Sequence, residues 1–324
     1  MSKIYVIHEN GLWLGSLRDE FVGLGIPYEE WDLAEGSFDL SVAPPEGVFY
    51  NRMSASSHTR GHRYSVELTS VVLNWLESHS RRVINNSRAL QLEINKGAQL
   101  SALHAGGVPT PRSIAAMGEG QIVQAAETLG SFPLIIKPNR GGTGNGVHLI
   151  TSKSNLEQHI KSANYQIPID GISLLQKYIY APNQEIIRAE FIGGKFMYAV
   201  RVDTRDGFEL CPADVCQIER GDANGTEKFK ILPPSQQPSV ELLCKCEDIL
   251  AANGIEVAAI EFVYNAAGQP FAYDLNTNTN YNDDAEQQAG IYGMQRLAHF
   301  LEQELLGLKN IVSVQHENKL RLAG

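Results

Sequence analysis

The strongest signal in this chain is the segment Ile135-Ile136-Lys137-Pro138-Asn139-Arg140-Gly141-Gly142-Thr143-Gly144-Asn145-Gly146-Val147. An apolar strand ends on Lys137, a glycine-rich segment follows, and a second strand begins at Val147. Glycines let backbone amides approach a polyphosphate closely, and the lysine adds a fixed positive charge. A simple hairpin turn with a surface lysine would need fewer glycines, so the segment predicts a phosphate-binding hairpin.

Two better-known phosphate motifs do not match. A dinucleotide-binding fold requires G-x-G-x-x-G after the first strand, and the residues that follow Ile7 contain too few glycines. A P-loop carries its lysine after the glycines and leads into a helix, whereas Lys137 precedes them and the loop leads into a strand.

A second group of polar residues lies about 120 positions further on. Residues 259–264 and 271–276 are predicted to form neighbouring strands, with Glu261 on one and Asp274 and Asn276 on the other. Residues two apart in a strand face the same side. Carboxylate and amide oxygens are ligands that Mg²⁺ prefers, with phosphates completing its shell. The pattern favours a metal site over two edge strands with solvated polar faces.

Composition excludes several classes of protein. The 324 residues include 43% apolar and 20% charged ones, as in an ordinary globular protein, and the net charge is −10. An acidic surface repels phosphate backbones, so no nucleic acid partner is expected. No apolar stretch suggests a signal peptide or a membrane span, and four scattered cysteines fit a reducing compartment. The expectation is a soluble, cytoplasmic protein without a membrane partner.

The periodicity predicts an α/β chain built from α+β lobes. We expect a small N-terminal parallel-sheet βαβ domain over 1–86, a small lobe with the glycine loop over 87–170, a C-terminal lobe with the metal site over 171–310, and a tail over 311–324. Residues 87–105 and 284–308 each read as one helix, and 203–239 as a mobile loop over a site.

Taken in order, these motifs resemble the ATP-grasp superfamily, and within it the RimK-like α-L-glutamate ligases. The matching segments are Tyr50-Asn51-Arg52-Met53, Val83-Ile84-Asn85-Asn86-Ser87, Asn95-Lys96, Gly107-Val108-Pro109-Thr110-Pro111, the glycine loop and Asp274-Leu275-Asn276. The resemblance implies an ATP-grasp fold preceded by a small parallel-sheet (pre-ATP-grasp) domain. It also implies ATP and Mg²⁺, with Mn²⁺ as an alternative ion.

The resemblance also implies residue roles around the nucleotide. Contacts to ATP would come from Lys96, Lys137, Gly141, Gly142, Thr143, Gly144, Gly146, Gln176, Lys177, Tyr178, Ile179 and Glu185. Lys137, Arg188 and Arg201 would act on the transferred phosphate and the acyl substrate. Glu261, Asp274 and Asn276 would hold the metal. The chain departs from the family at Lys177, where an acidic residue is usual, and at Glu261, which replaces aspartate.

The substrate end is predicted from an arginine-rich segment at 51–63. Arg52, Arg60 and Arg63 lie within it, and arginine forks bind carboxylates in a bidentate manner. The segment favours an anionic substrate, although a surface loop whose charges pair with nearby acids would have the same sequence. Asn278 and Asn280, just beyond the metal strand, are further candidates for substrate contact.

The resemblance implies an ATP-dependent carboxylate–amine ligase that forms an amide or peptide bond through an acyl phosphate. A small-molecule amino acid or a peptide is the expected substrate, and a homo-oligomer the expected assembly. Two alternatives remain open from the sequence: a phosphotransferase on the same scaffold, and a non-catalytic nucleotide-binding module. Intact Lys96, Lys137, Glu261, Asp274 and Asn276 argue against the second.

Overall fold

The structure is a computed structural model that describes residues 2–163, 165–205 and 228–322, with side chains described as far as residue 308. Its first lobe is the parallel sheet predicted at the N-terminus. The strands lie in the order β2-β1-β3-β4. They are β1 Lys3–His8, β2 Tyr28–Asp32, β3 Gly47–Asn51 and β4 Arg82–Ile84, with helices α1 Gly15–Leu24 and α2 Ser65–Ser78.

This lobe is stabilised by apolar residues on both faces of its sheet. Ile4 and Val6 point into one buried cluster with Phe21 of α1. Tyr5 and Ile7 point into another, beneath α2. The alternation follows from the period of two in a strand, and it explains why residues 4–7 in the middle of β1 are all apolar or aromatic.

The second lobe is an antiparallel sheet in the order β5-β8-β6-β7. Its elements are β5 Ser113–Ala116, α5 Glu119–Leu129, β6 Leu134–Pro138, β7 His148–Ile150, α6 Lys153–Lys161 and β8 Ser173–Lys177. Strands β6 and β7 form the expected hairpin around the glycine loop. Strand β8 pairs with β5 and β6, so strand pairing moves the boundary between the second and third lobes from 170 to beyond Lys177.

The third lobe is a five-stranded antiparallel sheet in the order β11-β10-β9-β12-β13. Its elements are β9 Glu185–Ile192, β10 Lys195–Asp203, β11 Phe229–Ile231, α7 Val240–Ala252, β12 Val257–Tyr264, β13 Pro270–Asn276, α8 Asp283–Ala289 and α9 Gly293–Leu322. None of the helices that the structure describes combines the length and hydropathy needed to cross a bilayer.

The helix predicted over 87–105 is wrong, because two helices replace it: α3 Ser87–Glu93 and α4 Lys96–Ala105. Asn95 between them has an extended backbone, and its side chain accepts a hydrogen bond from the Ala98 N–H. An asparagine in this position satisfies an unpaired donor at a helix start, so α4 begins at Lys96.

Two further expectations at the C-terminal end are corrected. The helix predicted over 284–308 is interrupted at Gly290, whose positive φ of 67° ends α8. The backbone predicted as a tail from 311 is helical, because α9 continues to Leu322. Most of the loop predicted over 203–239, namely 206–227, lies outside the described residues, and the described remainder contains β11 and a 3₁₀ turn at Pro234–Gln236.

Candidate functional site

A cleft lined by residues of all three lobes lies where the lobes meet. Trp13 of the first lobe, Lys137 of the second and Asp274 of the third all line it. The elements that reach it are the carboxyl edge of the parallel sheet, the glycine hairpin and the β12–β13 hairpin. Segments far apart in the chain therefore contribute to one site.

Two lysines lie buried at the centre of the cleft. Lys96, at the start of α4, donates a short hydrogen bond from its Nζ to Asp274 Oδ1. Lys137, at the end of β6, donates from its Nζ to the carbonyl oxygen of Tyr273 at 3.1 Å. Asn139 connects the segments that carry the two lysines. It follows Lys137 by two residues, and its main-chain oxygen accepts a hydrogen bond from the Lys96 N–H at 3.1 Å. Both ammonium groups are thus held beside the predicted metal strand.

Charge and burial shift the ionisation of this group. Burial and the neighbouring Lys96 ammonium lower the pKa of Lys137 to about 8, against the attraction of Asp274 and Glu261. Burial raises the pKa of Asp274, but the ammonium groups of Lys96 and Lys137 outweigh it and hold that pKa below its ordinary value. The centre of the cleft therefore holds two ammonium groups whose charged forms a bound polyphosphate would stabilise.

The glycine loop forms one wall. Gly141, Gly142, Thr143 and Gly144 line the cleft, whereas Gly146 does not. Thr143 and Gly144 have positive φ angles of 57° and 80°, a conformation that glycine adopts at no steric cost. A Cβ atom built on Gly142 would lie 3.4 Å from Ser56 Cβ, so the loop packs against the first lobe.

The predicted metal ligands meet across a strand pair. Glu261 of β12 lies opposite Asp274 of β13, and Asn276 Nδ2 donates to Glu261 Oε1 at 3.3 Å. Two carboxylates directly opposite each other repel, and a divalent cation would relieve that repulsion. No group of three or more His, Cys, Asp or Glu side chains in the described part of the chain could hold a metal. Two carboxylates suffice for Mg²⁺, which keeps waters and phosphate oxygens, so the donor set fits that ion.

Arg188 of β9 organises the wall beside this pair. Its Nε donates to Glu190 at 2.6 Å, Nη1 to Glu261 at 2.7 Å and Nη2 to Thr279 Oγ1 at 2.6 Å. Although burial lowers the pKa of Arg188, the two carboxylates raise it above its ordinary value. Arg188 lines the cleft, and its hydrogen bond to Glu261 orients that carboxylate.

The end of β8 and the start of β9 form the other end of the cleft. The residues that line it there are Gln176, Lys177, Tyr178, Ile179 and Glu185. Gln176 is buried and donates from Nε2 to Ser113 Oγ at 2.9 Å, whereas the Lys177 side chain is exposed. Apolar Ile135 and Val147 also line the cleft. A flat base with polar edges fits such a slot.

The structure does not bring Arg201 into the cleft. Its register partner on β9 is Ile187, whereas Arg188 pairs with Val200, so the two arginines project from opposite faces of the sheet. Arg201 Nε instead lies 3.7 Å from Glu185 Oε2, and Arg201 lines a second pocket with Lys228 and Lys230. The expectation that Arg201 faces the transferred phosphate is not met by this geometry.

The three arginines predicted to bind substrate have other contacts, and none is among the residues that line the cleft. Arg52 is buried and donates to Asn278 Oδ1, to Asn280 Oδ1 and to the carbonyl oxygen of Thr279, at 2.7–3.1 Å. Arg60 forms an ion pair with Glu9 at 2.5 Å. The Arg63 guanidinium lies 5.6 Å from the Tyr64 ring centre. Arg52 supports Asn278 and Asn280, which do line the cleft.

Sequence reasoning missed several cleft residues, among them Trp13, Ser54, Ser56 and Glu93. Trp13 follows β1, and the two serines follow β3. Ligands of parallel α/β sheets bind beyond the carboxyl ends of the strands, so the strand predictions contained a signal for three of these residues. Glu93, inside the helix that was predicted as continuous, carried no comparable signal.

Comparison with known proteins gives one family match. Residues 90–229 match the model of the RimK-like ATP-grasp domain. N-acetylaspartylglutamate synthase A of Homo sapiens is 28% identical over 139 residues, which are 42% of this chain and 34% of that protein. The chain thus matches about a third of the length of that relative. A probable alpha-L-glutamate ligase of Aeromonas salmonicida is 24% identical over 234 residues, 72% of each chain.

Solved structures resemble the chain over nearly its whole length. A RimK domain ATP-grasp protein from Sphaerobacter thermophilus superposes with a TM-score of 0.64 at 16% identity, over 92% of this chain and 99% of that one. D-cycloserine synthetase DcsG gives the same TM-score and identity, over 93% and 99%. At this identity, the likeness establishes the shared fold.

Proposed function

We propose that this chain, which has the ATP-grasp fold and carries a RimK-like ATP-grasp domain over residues 90–229, is an ATP-dependent carboxylate–amine ligase. The observation that carries the proposal is the convergence of two lysines, a glycine loop and the side chains of Glu261, Asp274 and Asn276 on one cleft. Taken alone, each of these features also has an explanation that requires no bound ligand. Together they match what the transfer of a γ-phosphate to a carboxylate requires.

The nucleotide would lie along the cleft from β8 to the β12–β13 hairpin. The adenine would occupy the slot beside Tyr178 and Ile179, and Glu185 would accept from the ribose hydroxyls. Lys96 and Lys137 would contact the phosphates beneath the glycine loop. Glu261, Asp274 and Asn276 would hold Mg²⁺, or Mn²⁺ in its place, and the ion would neutralise charge on the phosphate oxygens.

The reaction has two steps in this proposal. A substrate carboxylate oxygen attacks the γ-phosphorus, the bond to the β–γ bridging oxygen breaks, and ADP leaves. The amine then attacks the acyl carbon, so that phosphate and a proton are released. In this proposal Lys137 would stabilise the charge that develops in the first step, and Arg188 would keep Glu261 oriented through its hydrogen bond. The packing of Gly142 on Ser56 would exclude water from the acyl phosphate.

The names of the relatives support an amino acid or a peptide as the substrate. They include N-acetylaspartylglutamate synthase A, a D-alanine–D-alanine ligase from Pseudomonas fluorescens and an alpha-aminoadipate–LysW ligase from Sulfurisphaera tokodaii. A cytoplasmic location, a homo-oligomeric state, and the absence of nucleic acid and membrane partners belong to the same proposal. The net charge of −10 supports the absence of a nucleic acid partner.

The test measures the release of ADP from ATP in the presence of pairs of amino acids and small peptides. Mass spectrometry then identifies the products. A ligase releases ADP and phosphate only when acid and amine are both present. A phosphorylated product without any amine would identify a phosphotransferase instead, and ATP binding without turnover a non-catalytic module. Lys137→Ala should abolish turnover and weaken ATP binding. Lys153→Ala, which removes an exposed lysine on α6, is the matched control.

A further inference from the structure

Three asparagines occupy alternate positions from the end of the metal strand onward: Asn276, Asn278 and Asn280, here called the asparagine row. All three line the cleft. The first amide has its nitrogen bonded inside the protein, because Asn276 Nδ2 donates to Glu261 Oε1 at 3.3 Å. A carboxylate only accepts hydrogen bonds, so this contact leaves the Asn276 Oδ1 for another partner. The first member of the row therefore offers an acceptor.

The next two amides are oriented the other way by Arg52. Its Nε donates to Asn278 Oδ1 at 3.1 Å, and its Nη2 donates to Asn280 Oδ1 at 2.7 Å. A guanidinium only donates hydrogen bonds, so it determines which amide atom faces it. Neither Nδ2 has an acceptor among the described residues, and neither atom is fully buried. Asn278 and Asn280 therefore offer N–H donors to the cleft.

Arg52 itself has no countercharge among its contacts. The residue is 2% exposed, and its other hydrogen bonds go to the carbonyl oxygens of Trp13 at 3.3 Å and Thr279 at 3.0 Å. In the part of the chain that the structure describes, every hydrogen-bond partner of this guanidinium is thus uncharged. A buried arginine is ordinarily paired with a carboxylate. The positive charge behind the two donors therefore lacks a direct partner.

Two buried acids contact the threonines between these asparagines, but neither supplies the missing countercharge. Glu190 accepts from Thr279 Oγ1 at 2.8 Å and forms an ion pair with Arg188 at 2.6 Å. Glu93 accepts from the Thr277 N–H at 2.7 Å. Both carboxylates are held by other donors of the protein, and neither forms a hydrogen bond with the unpaired guanidinium.

We infer that Asn278 and Asn280 bind a carboxylate of the substrate, at a site here called the carboxylate subsite, and that Arg52 behind them selects its charge. The inference rests on the ligase function proposed above. There the reacting carboxylate lies at the lysines and the metal, which leaves this subsite to a further carboxylate, carried by the amine or by the acid. Such a group combines acceptor oxygens with negative charge, so it matches two oriented donors and a buried cation. An amide offers one oxygen and no charge.

The test is calorimetric titration of the full chain loaded with AMPPNP and Mg²⁺, with two pairs of probes. L-Alanine and L-alaninamide differ in the carboxylate of an amine, and succinate and succinamate differ in the second carboxylate of an acid. We expect the carboxylate to bind at least about tenfold more tightly than the amide in one pair, and that pair identifies which substrate carries the group. A preference below about threefold in both pairs, or no binding of either carboxylate, overturns the inference.

Asn280→Asp gives a second measurement, because the protein then supplies the countercharge itself. The aspartate keeps an acceptor for Arg52 Nη2 and removes the Nδ2 donor. We expect the carboxylate preference to fall at least about tenfold and the midpoint of thermal unfolding to rise by about 2 °C or more. Asn74→Asp adds the same charge at an exposed position of α2 and should leave the preference unchanged.

An unchanged preference in Asn280→Asp, or a thermal midpoint that does not rise, refutes the carboxylate subsite. Both measurements are made without turnover. Absence of ADP release with every substrate pair would therefore count against the ligase, while a measured carboxylate preference that Asn280→Asp removes would still support the subsite.

Discussion

At the residue scale, Lys137 links nucleotide binding to protonation. Its pKa of about 8 in the free protein means that the ammonium is partly deprotonated above that pH. Bound phosphate would raise the pKa, because it favours the charged form. We therefore expect ATP to bind with proton uptake at pH 8.5, with little uptake from this group at pH 6.5, and with an affinity that falls as pH rises through 8.

Calorimetry in two buffers of different ionisation enthalpy measures this uptake directly. Lys137→Arg retains the positive charge but stays protonated throughout, so the uptake at pH 8.5 should disappear in that variant. The same uptake in Lys137→Arg and in the wild type would show that another group is responsible.

Arg52 and Arg63 lie in the same segment, 51–63, but only Arg52 is buried, so their substitutions compare the loss of a buried contact with the loss of an exposed one. Arg52→Ala leaves the acceptors of Asn278, Thr279 and Asn280 without their donor inside the protein, and we expect a loss of about 3 kcal/mol in the free energy of unfolding. Arg63→Ala removes a ring contact at the surface and should cost at most about 0.5 kcal/mol. Urea unfolding measures both, and equal losses would contradict the assignment of Arg52 as an internal support.

Sequence reasoning identified residues that line the cleft where local pattern decides their position, and it failed where strand register decides. Lys137, Asp274 and Asn276 follow from strand ends and spacing two apart. Arg188 and Arg201 looked equivalent, because each lies in a predicted strand. A shift of one residue in register moves a side chain to the other face, and the pairing of Val200 with Arg188 places Arg201 on the far one. That register depends on contacts across the sheet.

At the scale of elements, the break between α3 and α4 positions Lys96. Asn95 caps α4, and Lys96 is the first residue of that helix. We expect Asn95→Ala to cost about 1 kcal/mol in stability and also to weaken ATP binding, because the Lys96 ammonium loses its fixed origin. Ser152→Ala removes the equivalent cap of α6, so it should cost a similar amount of stability without changing ATP affinity. Equal ATP affinities in Asn95→Ala and Ser152→Ala would show that the Asn95 cap does not position Lys96 for ATP binding.

The junction of α8 and α9 contains a carboxyl group that responds to pH. Burial raises the pKa of Glu286 to about 7, against hydrogen bonds from the Tyr198 hydroxyl and the Gly293 N–H. Because the folded pKa exceeds the unfolded value of 4.5, the folded protein holds the extra proton between these values. The stability contributed by this group is complete below pH 4.5 and is lost as pH rises through 7. A shift of this size corresponds to at most about 3 kcal/mol.

Glu286→Gln keeps an acceptor oxygen for both donors and removes the titration. The variant should therefore be more stable than the wild type at pH 8, and the advantage should shrink as pH falls toward 5. Urea unfolding across this range is the measurement. A difference between the two proteins that does not change with pH would refute the assignment.

At the scale of the whole molecule, the order of elements predicted three lobes but not how they join. Arg82, at the start of β4, donates to Glu256 of the third lobe at 2.5 and 2.6 Å and to Glu304 of α9 at 2.6 Å. Asn85 Nδ2 donates to the carbonyl oxygens of Val257 and Thr277 at 2.8 and 2.9 Å. These partners lie more than 170 positions from Arg82 or Asn85, and no local pattern indicates them. The fold class was predictable from periodicity. The contacts of Arg82 and Asn85 with the third lobe, here called the joint between the lobes, were not.

This joint has a measurable consequence, because all three tryptophans, Trp13, Trp31 and Trp75, lie in the first lobe. Tryptophan fluorescence therefore follows that lobe alone, while far-ultraviolet circular dichroism follows the whole chain. In the wild type, we expect the two urea transitions to coincide, because the half-buried Arg82 couples the first and third lobes.

Arg82→Ala should lower the fluorescence midpoint more than the dichroism midpoint, since the first lobe loses about 2 kcal/mol of stabilisation from its neighbour while contacts within each lobe persist. Lys3→Ala removes an exposed ion pair with Glu29 inside the first lobe, and its two transitions should remain together. Coincident transitions in Arg82→Ala would mean that the joint depends on Asn85 and apolar packing instead. The double variant with Asn85→Ala would then be the next test, because it also removes the hydrogen bonds from Asn85 to the third lobe.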